Sequence, residues 1–341
     1  MKVIFSDRQK RHHPRYFLSS GAPQPNPEVP ERAERLLAAA QSAGLKHVEP
    51  ADYGLAPVVA VHTPEYIQFL RNIARRWGHI EGASAEVVPN IHPDRRDGAY
   101  PASAVGQAGF HMADTGCPIA AETWDSALVS AHTAVHGAVL LLEGDAACYA
   151  LSRPPGHHAA RDFAAGFCYL NNVAAAAQKL TTRFERVAIL DIDVHHGNGT
   201  QDIFYHRADV LTVSIHADPL RFYPFFWGHA QERGSAAGLG YNFNLPLPRG
   251  TGDDGYLKAL DTALDRIRSF APQALVVALG LDAHAGDPFQ GLAVSTAGFG
   301  KIAAAIRGLG LPTVLVQEGG YLCDALGDNL CSFLQGFSVG I

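Results

Sequence analysis

The 341-residue sequence is poor in cysteine and in charge and holds no long apolar run, and each shortage argues against a class of protein. Its five cysteines, Cys117, Cys148, Cys168, Cys323 and Cys331, are odd in number, scattered and never spaced as CxxC. That speaks against both a disulfide framework and a thiolate zinc site, and they read as buried apolar thiols in a reducing compartment. Charged residues are only 18% of the chain, and basic side chains gather no further than pairs such as Arg75-Arg76 and Arg95-Arg96. The electrostatic footprint of a nucleic-acid binder is missing, and a formal net charge of −6 suits a cationic small substrate better. No stretch approaches the roughly 20 apolar residues of a membrane span, and the opening MKVIFSDRQKRHHP has too short an apolar run for a signal peptide. The expectation is a cytoplasmic protein with neither a membrane nor a nucleic-acid partner.

What is present is a hydrophobic content of 47%, enough to bury one large α/β domain or two smaller ones. Strand-like runs at 2–6, 147–152, 186–193, 210–216, 274–280 and 312–319 alternate with helical patterns at 31–44, 64–77, 124–143, 171–181, 253–270 and 296–308. Continuous apolar strands alternating with helices predict a parallel sheet covered on both faces. In such sheets functional groups gather beyond the carboxyl ends of the strands. The polar clusters SRPPGHH, DIDVHHGNG, SIHADP, LGLDAHAGD and EGGY each follow one of these strands, so they are expected to converge on one rim. The segment from about 78 to 123 has no sustained period and reads as a long excursion from the core, of the kind that forms lids, binding loops or interfaces.

The stretch LDIDVHHGNGTQDIF carries two aspartates and two histidines directly after an apolar run. Strand alternation puts Asp191, Asp193 and His195 on one face and His196 on the other. Carboxylate oxygen and imidazole nitrogen are a common mixed ligand set for zinc and related ions, and Asp193 and His195 can grip one ion. Gly197 and Gly199 then let the backbone turn beside it. A third ligand must come from another rim loop, where LGLDAHAGD offers Asp282, His284 and Asp287; Asp282 stands just past its strand, at the depth of Asp193. Two carboxylates and one histidine leave a coordination position open, as catalytic zinc sites do. The adjacent His157 and His158 suit acid and base roles beside such an ion, unequal if one is backed by a carboxylate and the other by an amide. Tyr321, in EGGY, is placed at a strand end where a phenol can donate to a developing oxyanion.

RPPGHHA, GFCYLNN, DIDVHHGNGTQDIF, LDAHAGDP and EGGY, in this order and spacing, resemble the zinc-dependent deacetylase family of histone deacetylases, acetoin-utilisation proteins and bacterial acetylpolyamine amidohydrolases. The resemblance runs from about residue 20 to the C-terminus. It implies the arginase-deacetylase fold, a single α/β domain over 1–341 on a parallel sheet of about eight strands. It implies one catalytic Zn2+, or Fe2+, per chain on Asp193, His195 and Asp282, a histidine pair at His157 and His158, and an oxyanion tyrosine at Tyr321. Asp191 would stand behind His157 and Asn198 behind His158; many members carry Asp at that last position. K+ or Na+ sites are implied near Asp191, Asp193, His195 and Ser214, and near Phe204, Arg207, Val210 and Tyr241.

The segment GQAGFHMADTGCPIAAETWDSA is most similar to the acetylpolyamine amidohydrolases, in which an insertion narrows the active-site mouth and makes a homodimer; here it would be residues 78–123. Asp114 would face the distal ammonium of the substrate, and Gly166, Phe167 and Tyr223 would line its aliphatic chain. The expected reaction is hydrolysis of the acetyl amide of an acetylated polyamine. The alternatives are a protein acetyl-lysine or acetoin-type deacetylase, a two-metal ureohydrolase, whose DAHxD spacing the extra glycine in DAHAGD spoils, and a non-catalytic sensor of acetylpolyamines.

Overall fold

The computed structural model describes residues 1–95 and 97–338. In chain order the elements are β1 (Lys2–Ile4), β2 (Tyr16–Ser19), β3 (Ala22–Pro25), α1 (Pro30–Ser42), β4 (Lys46–Val48), α2 (Ala56–Val59), α3 (Pro64–Trp77), α4 (Ala104–His111), α5 (Thr123–Leu142) and β5 (Ala147–Ala150). The second half adds α6 (Asn172–Leu180), β6 (Val187–Asp191), α7 (Asn198–Phe204), β7 (Val210–Ala217), β8 (Asn242–Leu247), α8 (Asp253–Phe270), β9 (Ala274–Leu279), α9 (Thr296–Arg307), β10 (Thr313–Gln317) and α10 (Leu326–Ser338). Eight strands form one sheet in the order β4-β1-β5-β10-β9-β6-β7-β8, and every pair in it is parallel. The strands followed by the polar clusters are five contiguous central ones, β5 to β7 in sheet order, so their carboxyl ends do meet on one rim.

Every residue of β6, β7, β9 and β10 is buried, because helices cover both faces. Side chains of α1, α8, α9 and α10 pack on one face, and those of α5 and α6 on the other. By length and hydropathy α5 alone among the described helices is apolar enough to cross a membrane, but it lies in this core. Its Gly137 presses so closely on Val314 and Cys148 that a Cβ there would collide with both.

Three expectations need correction. The strand read as 186–193 ends as a regular ladder at Asp191; Ile192 N still donates to Ala278 O at 3.0 Å and Val194 O still accepts from Ala217 N at 2.9 Å, but side chains accept from the amides between, Asp193 N donating to Asp191 Oδ1 at 3.1 Å and His195 N to Asp193 Oδ1 at 2.9 Å. Asp193 and His195 are therefore held by a turn and not by strand alternation. Gly197 and Gly199 serve close approach instead of a turn, since a Cβ would strike Asp191 Oδ2 at the first and Ala159 O at the second. The 78–123 segment is not a bare excursion: it contains α4, pairs Val87 with Ile119, and buries Met112, Cys117 and Ile119 against Tyr66, Phe69, Ile73 and Trp77 of α3 in a satellite core. The hairpin β2–β3, the edge strands β4 and β8, and α10 were not anticipated.

Candidate active site

The loop after β5 is anchored before it delivers its histidines. Arg153 is buried and donates to the carbonyls of Gln9 at 2.8 Å and His12 at 2.6 Å, with Glu28 Oε1 2.9 Å from its Nε. Gly156 N and His157 N then donate to one oxygen of Glu318, at 2.7 and 3.0 Å. The rings of His157 and His158 lie 4.0 Å apart, and their Nδ1 atoms reach different partners: Asp191 Oδ2 at 3.0 Å and Asn198 Oδ1 at 2.7 Å. Burial alone would lower His157, but the carboxylates of Asp193 and Asp191 outweigh it and push the ring up to about 10. His158 falls well below the usual imidazole range, from burial and from the neighbouring rings of His157 and His195. One ring thus meets a carboxylate and the other an amide.

Asp193, His195 and Asp282 offer ligand atoms that lie within 4.8 Å of one another, all buried. His195 Nδ1 is 3.1 Å from Asp193 Oδ1 and 3.3 Å from Asp282 Oδ2. The set fits a divalent cation in its donor chemistry, two carboxylates and one imidazole, and in the state of one oxygen. Asp282 Oδ2 is buried and, despite the nearby His195 ring, receives no hydrogen bond of good geometry among the described residues. The two carboxylates also create a negative field that overrides burial and raises His195 to about 9. The remaining carboxylate oxygens are oriented by backbone: Gly319 N donates to Asp193 Oδ2 at 2.7 Å and Val194 N to Asp282 Oδ1 at 3.0 Å. Room for them depends on Gly280 and Gly319, where a Cβ would run into the two carboxylates. His284 is not part of the cluster and caps its own turn through Gly286 N, and Asp287 is directed at Tyr321 N.

Tyr321 is buried, with the Arg32 guanidinium 4.7 Å from its ring centre. Burial drives its phenol well above the usual range, so it stays a donor. Arg32 also grips the main chain on either side of Gly319, donating to Glu318 O at 2.8 Å and Gly320 O at 2.5 Å. Around the cluster stand aromatic walls. Tyr223 meets His158 edge-on at 5.0 Å, and Phe167 lies 6.0 Å from Tyr321. Phe167 has φ +66, an uncommon left-handed conformation costing roughly 1–3 kcal/mol, and Gly166 before it has no room for a Cβ beside His158. The sequence reading missed Phe222, stacked on His195 at 4.9 Å, Phe289, edge-on to it at 5.3 Å, and Phe17 of the hairpin, 5.5 Å from Phe167. Only position in the fold distinguishes these rings from core aromatics. Arg32 and Glu318 were missed for the same reason.

Asp114 reaches the site differently from the expectation. Its carboxylate accepts from Tyr223 Oη at 2.5 Å, from Gly166 N at 3.1 Å and from Gly116 N at 2.8 Å, so it ties the 78–123 segment to two wall residues. Ser214 stands opposite Asp191 in the β6–β7 ladder, its hydroxyl 2.8 Å from His216 Nδ1. Phe204, Arg207, Val210 and Tyr241 lie around the start of β7, where Arg207 N donates to Phe204 O at 2.9 Å and Thr212 N to Tyr241 O at 3.0 Å.

Residues 26–337 match the family model for the histone deacetylase domain. The chain is 48% identical over 340 residues to an acetylpolyamine amidohydrolase of Burkholderia pseudomallei, covering 99% of each, and 43% identical over 342 residues to acetylpolyamine amidohydrolase 1 of Pseudomonas aeruginosa, again covering 99% of each. The crystal structure of an acetylpolyamine aminohydrolase from Burkholderia pseudomallei superposes with a TM-score of 0.96 at 47% identity, over 99% of both chains.

Proposed function

The chain belongs to the histone deacetylase family, and we propose on that premise that it hydrolyses the acetyl amide of acetylated polyamines to the free amine and acetate. One arrangement carries the hydrolytic reading: three convergent ligand groups ringed by aromatic side chains, beside one neutral and one charged histidine. The full-length similarity to acetylpolyamine amidohydrolases supports the substrate class. Asp193, His195 and Asp282 would hold a single divalent ion, Zn2+ or Fe2+, supplying Lewis acidity to an acetyl carbonyl and a nearby water.

The chain's own residues do the rest. His158 Nδ1 carries its proton toward Asn198 Oδ1, which leaves Nε2 unprotonated and able to take a proton from water. His157, held charged by Asp193 and by its hydrogen-bond partner Asp191, keeps a positive charge beside the developing oxyanion, and the pair returns a proton to the leaving amine. The Tyr321 phenol donates to the oxyanion. Phe167, Tyr223 and Gly166 flank the acyl and alkyl portions. Asp114, its carboxylate already engaged by three donors, acts on a distal ammonium through its half-buried charge and not as a free acceptor. We extend the proposal to K+ or Na+ at the two carbonyl-rich groups around Ser214 and Phe204. We extend it also to a homodimer in which residues 78–123 line the mouth, and to a cytoplasmic location, which the free thiols of all five cysteines support.

The test is a panel assayed at equal concentration: acetylputrescine, acetylcadaverine, acetylspermidine, acetylspermine and acetyl-lysine peptides. Higher kcat/KM on the acetylated amines is expected; preference for the peptides would favour the protein-deacetylase alternative. Sedimentation at micromolar concentration should give a dimer, and a monomer with unchanged selectivity would refute the interface.

A further inference from the structure

Of the three candidate donors in DAHAGD, Asp282 alone joins the ligand cluster, and the buried Asp287 is left over. It is 1% exposed, and its carboxylate bridges two backbone amides: Tyr321 N donates to Oδ2 at 2.9 Å and Phe289 N to Oδ1, also at 2.9 Å. Both residues face the chemistry. The Phe289 ring lies 4.7 Å from the Tyr321 ring and 5.3 Å from that of His195. The tyrosine loop needs such an anchor, because Gly319 and Gly320 precede the residue and give the main chain little stiffness of its own. Arg32 fixes the carbonyls of residues 318 and 320, leaving the amide of residue 321 to Asp287.

We propose that Asp287 is a positioning residue for the Tyr321 phenol, clamping the tyrosine's main chain to the Phe289 wall and, through the 281–290 loop, to the strand end that carries Asp282. The proposal rests on the deacetylase reading, in which that phenol donates to the oxyanion. A hydrogen bond made only in the transition state tolerates displacements of about 0.5 Å and no more. Losing the amide anchor should therefore cost turnover and leave substrate binding nearly intact. Asparagine is the sharpest probe: it matches aspartate in shape but keeps one acceptor where two amides need two, and turns an N–H2 toward the other.

The experiment is a double-mutant cycle on Asp287→Asn and Tyr321→Phe, with kcat, KM, metal content and thermal midpoint measured for each protein. Asp287→Asn should lower kcat by about 10- to 100-fold with KM within about two-fold of wild type and a full equivalent of metal retained. In the Tyr321→Phe background the same substitution should cost less than about three-fold, since the hydrogen bond it serves is already gone. Asp287→Glu, which keeps both oxygens but moves them by one methylene, should show a smaller deficit with the same dependence on Tyr321; it also serves if the asparagine variant does not fold. Losses that multiply in the double mutant, or loss of the metal together with activity, would overturn the positioning role while leaving the deacetylase reading intact. An inactive wild type would overturn both.

Discussion

Replacing Asn198 by aspartate tests the division of labour between the two histidines with almost no change of shape. The pair already shows the two kinds of partner side by side. His157 and His158 are both buried; Nδ1 of the first meets a carboxylate at 3.0 Å and that of the second an amide at 2.7 Å, and His157 also feels Asp193, whose carboxylate lies 3.8 Å from its Nε2. The first is raised to about 10, and the second falls well below the usual range. A carboxylate at position 198 would put its charge about 4 Å from the His158 imidazolium. At an effective dielectric of about 20 that interaction is about 4 kcal/mol, or about 3 pKa units. Sharing of the charge between two oxygens and the burial of the new carboxylate reduce this, so a rise of about 2 units is expected. A cation in the neighbouring ligand cluster lowers both histidines in either protein and cancels from the comparison. The sign follows directly: a raised pKa keeps His158 protonated to higher pH, and the base form appears later. The acidic limb of kcat/KM for acetylputrescine, measured from pH 5 to 10, should therefore move up by about 2 units. A limb that stays in place or moves down would refute the reasoning and make His157 the better candidate for the base.

Three further outcomes follow from the geometry. Asp282→Ala removes one of the three ligand groups from the cluster, so the purified variant should lose both its divalent ion and its activity; a full metal equivalent by mass spectrometry would count against the assignment. If its phenol donates to the oxyanion as proposed, Tyr321→Phe should lower kcat by about 10²–10³ with KM little changed, since only the transition state would use it; a raised KM with unchanged kcat would mean a binding role. Gly319→Ala drives a methyl group into the carboxylates of Asp282 and Asp193, so a chelator-competition assay should show metal affinity reduced at least about 10-fold, and unchanged affinity would disprove the packing argument.

The central strands and the helices that cover them were legible because burial on both faces leaves a continuous apolar run, as in VAILD, ALVVAL and TVLVQ. The edge strands were not. KHV and NFNLPL each pair with one neighbour only and carry polar residues or proline, so their sequences look like loop. The last helix does carry a signal, with Leu326, Leu330, Phe333, Leu334 and Phe337 buried at helical spacing. In the 78–123 segment the apolar residues that pack on α3 are far apart in sequence, so no periodic pattern announces them.

By itself the sequence determined the layered α/β architecture, the clustering of polar groups beyond the strand ends, and the residue types able to bind a cation and shuttle a proton. Those are local properties, written in the spacing of apolar residues and in motifs a few residues long. The tertiary structure alone decided which members of those motifs meet. DAHAGD offers two aspartates that reach the site region, and the fold directs Asp282 to the ligand cluster and Asp287 to the amide of Tyr321. Asp114 faces inward to Tyr223 and Gly166, and Arg32, near the start of the chain, clamps residues close to its end. These pairings join residues up to 288 positions apart, and their direction depends on how loops close over a sheet whose strands are out of sequence order. No local pattern encodes that closure, because it results from the packing of the whole core.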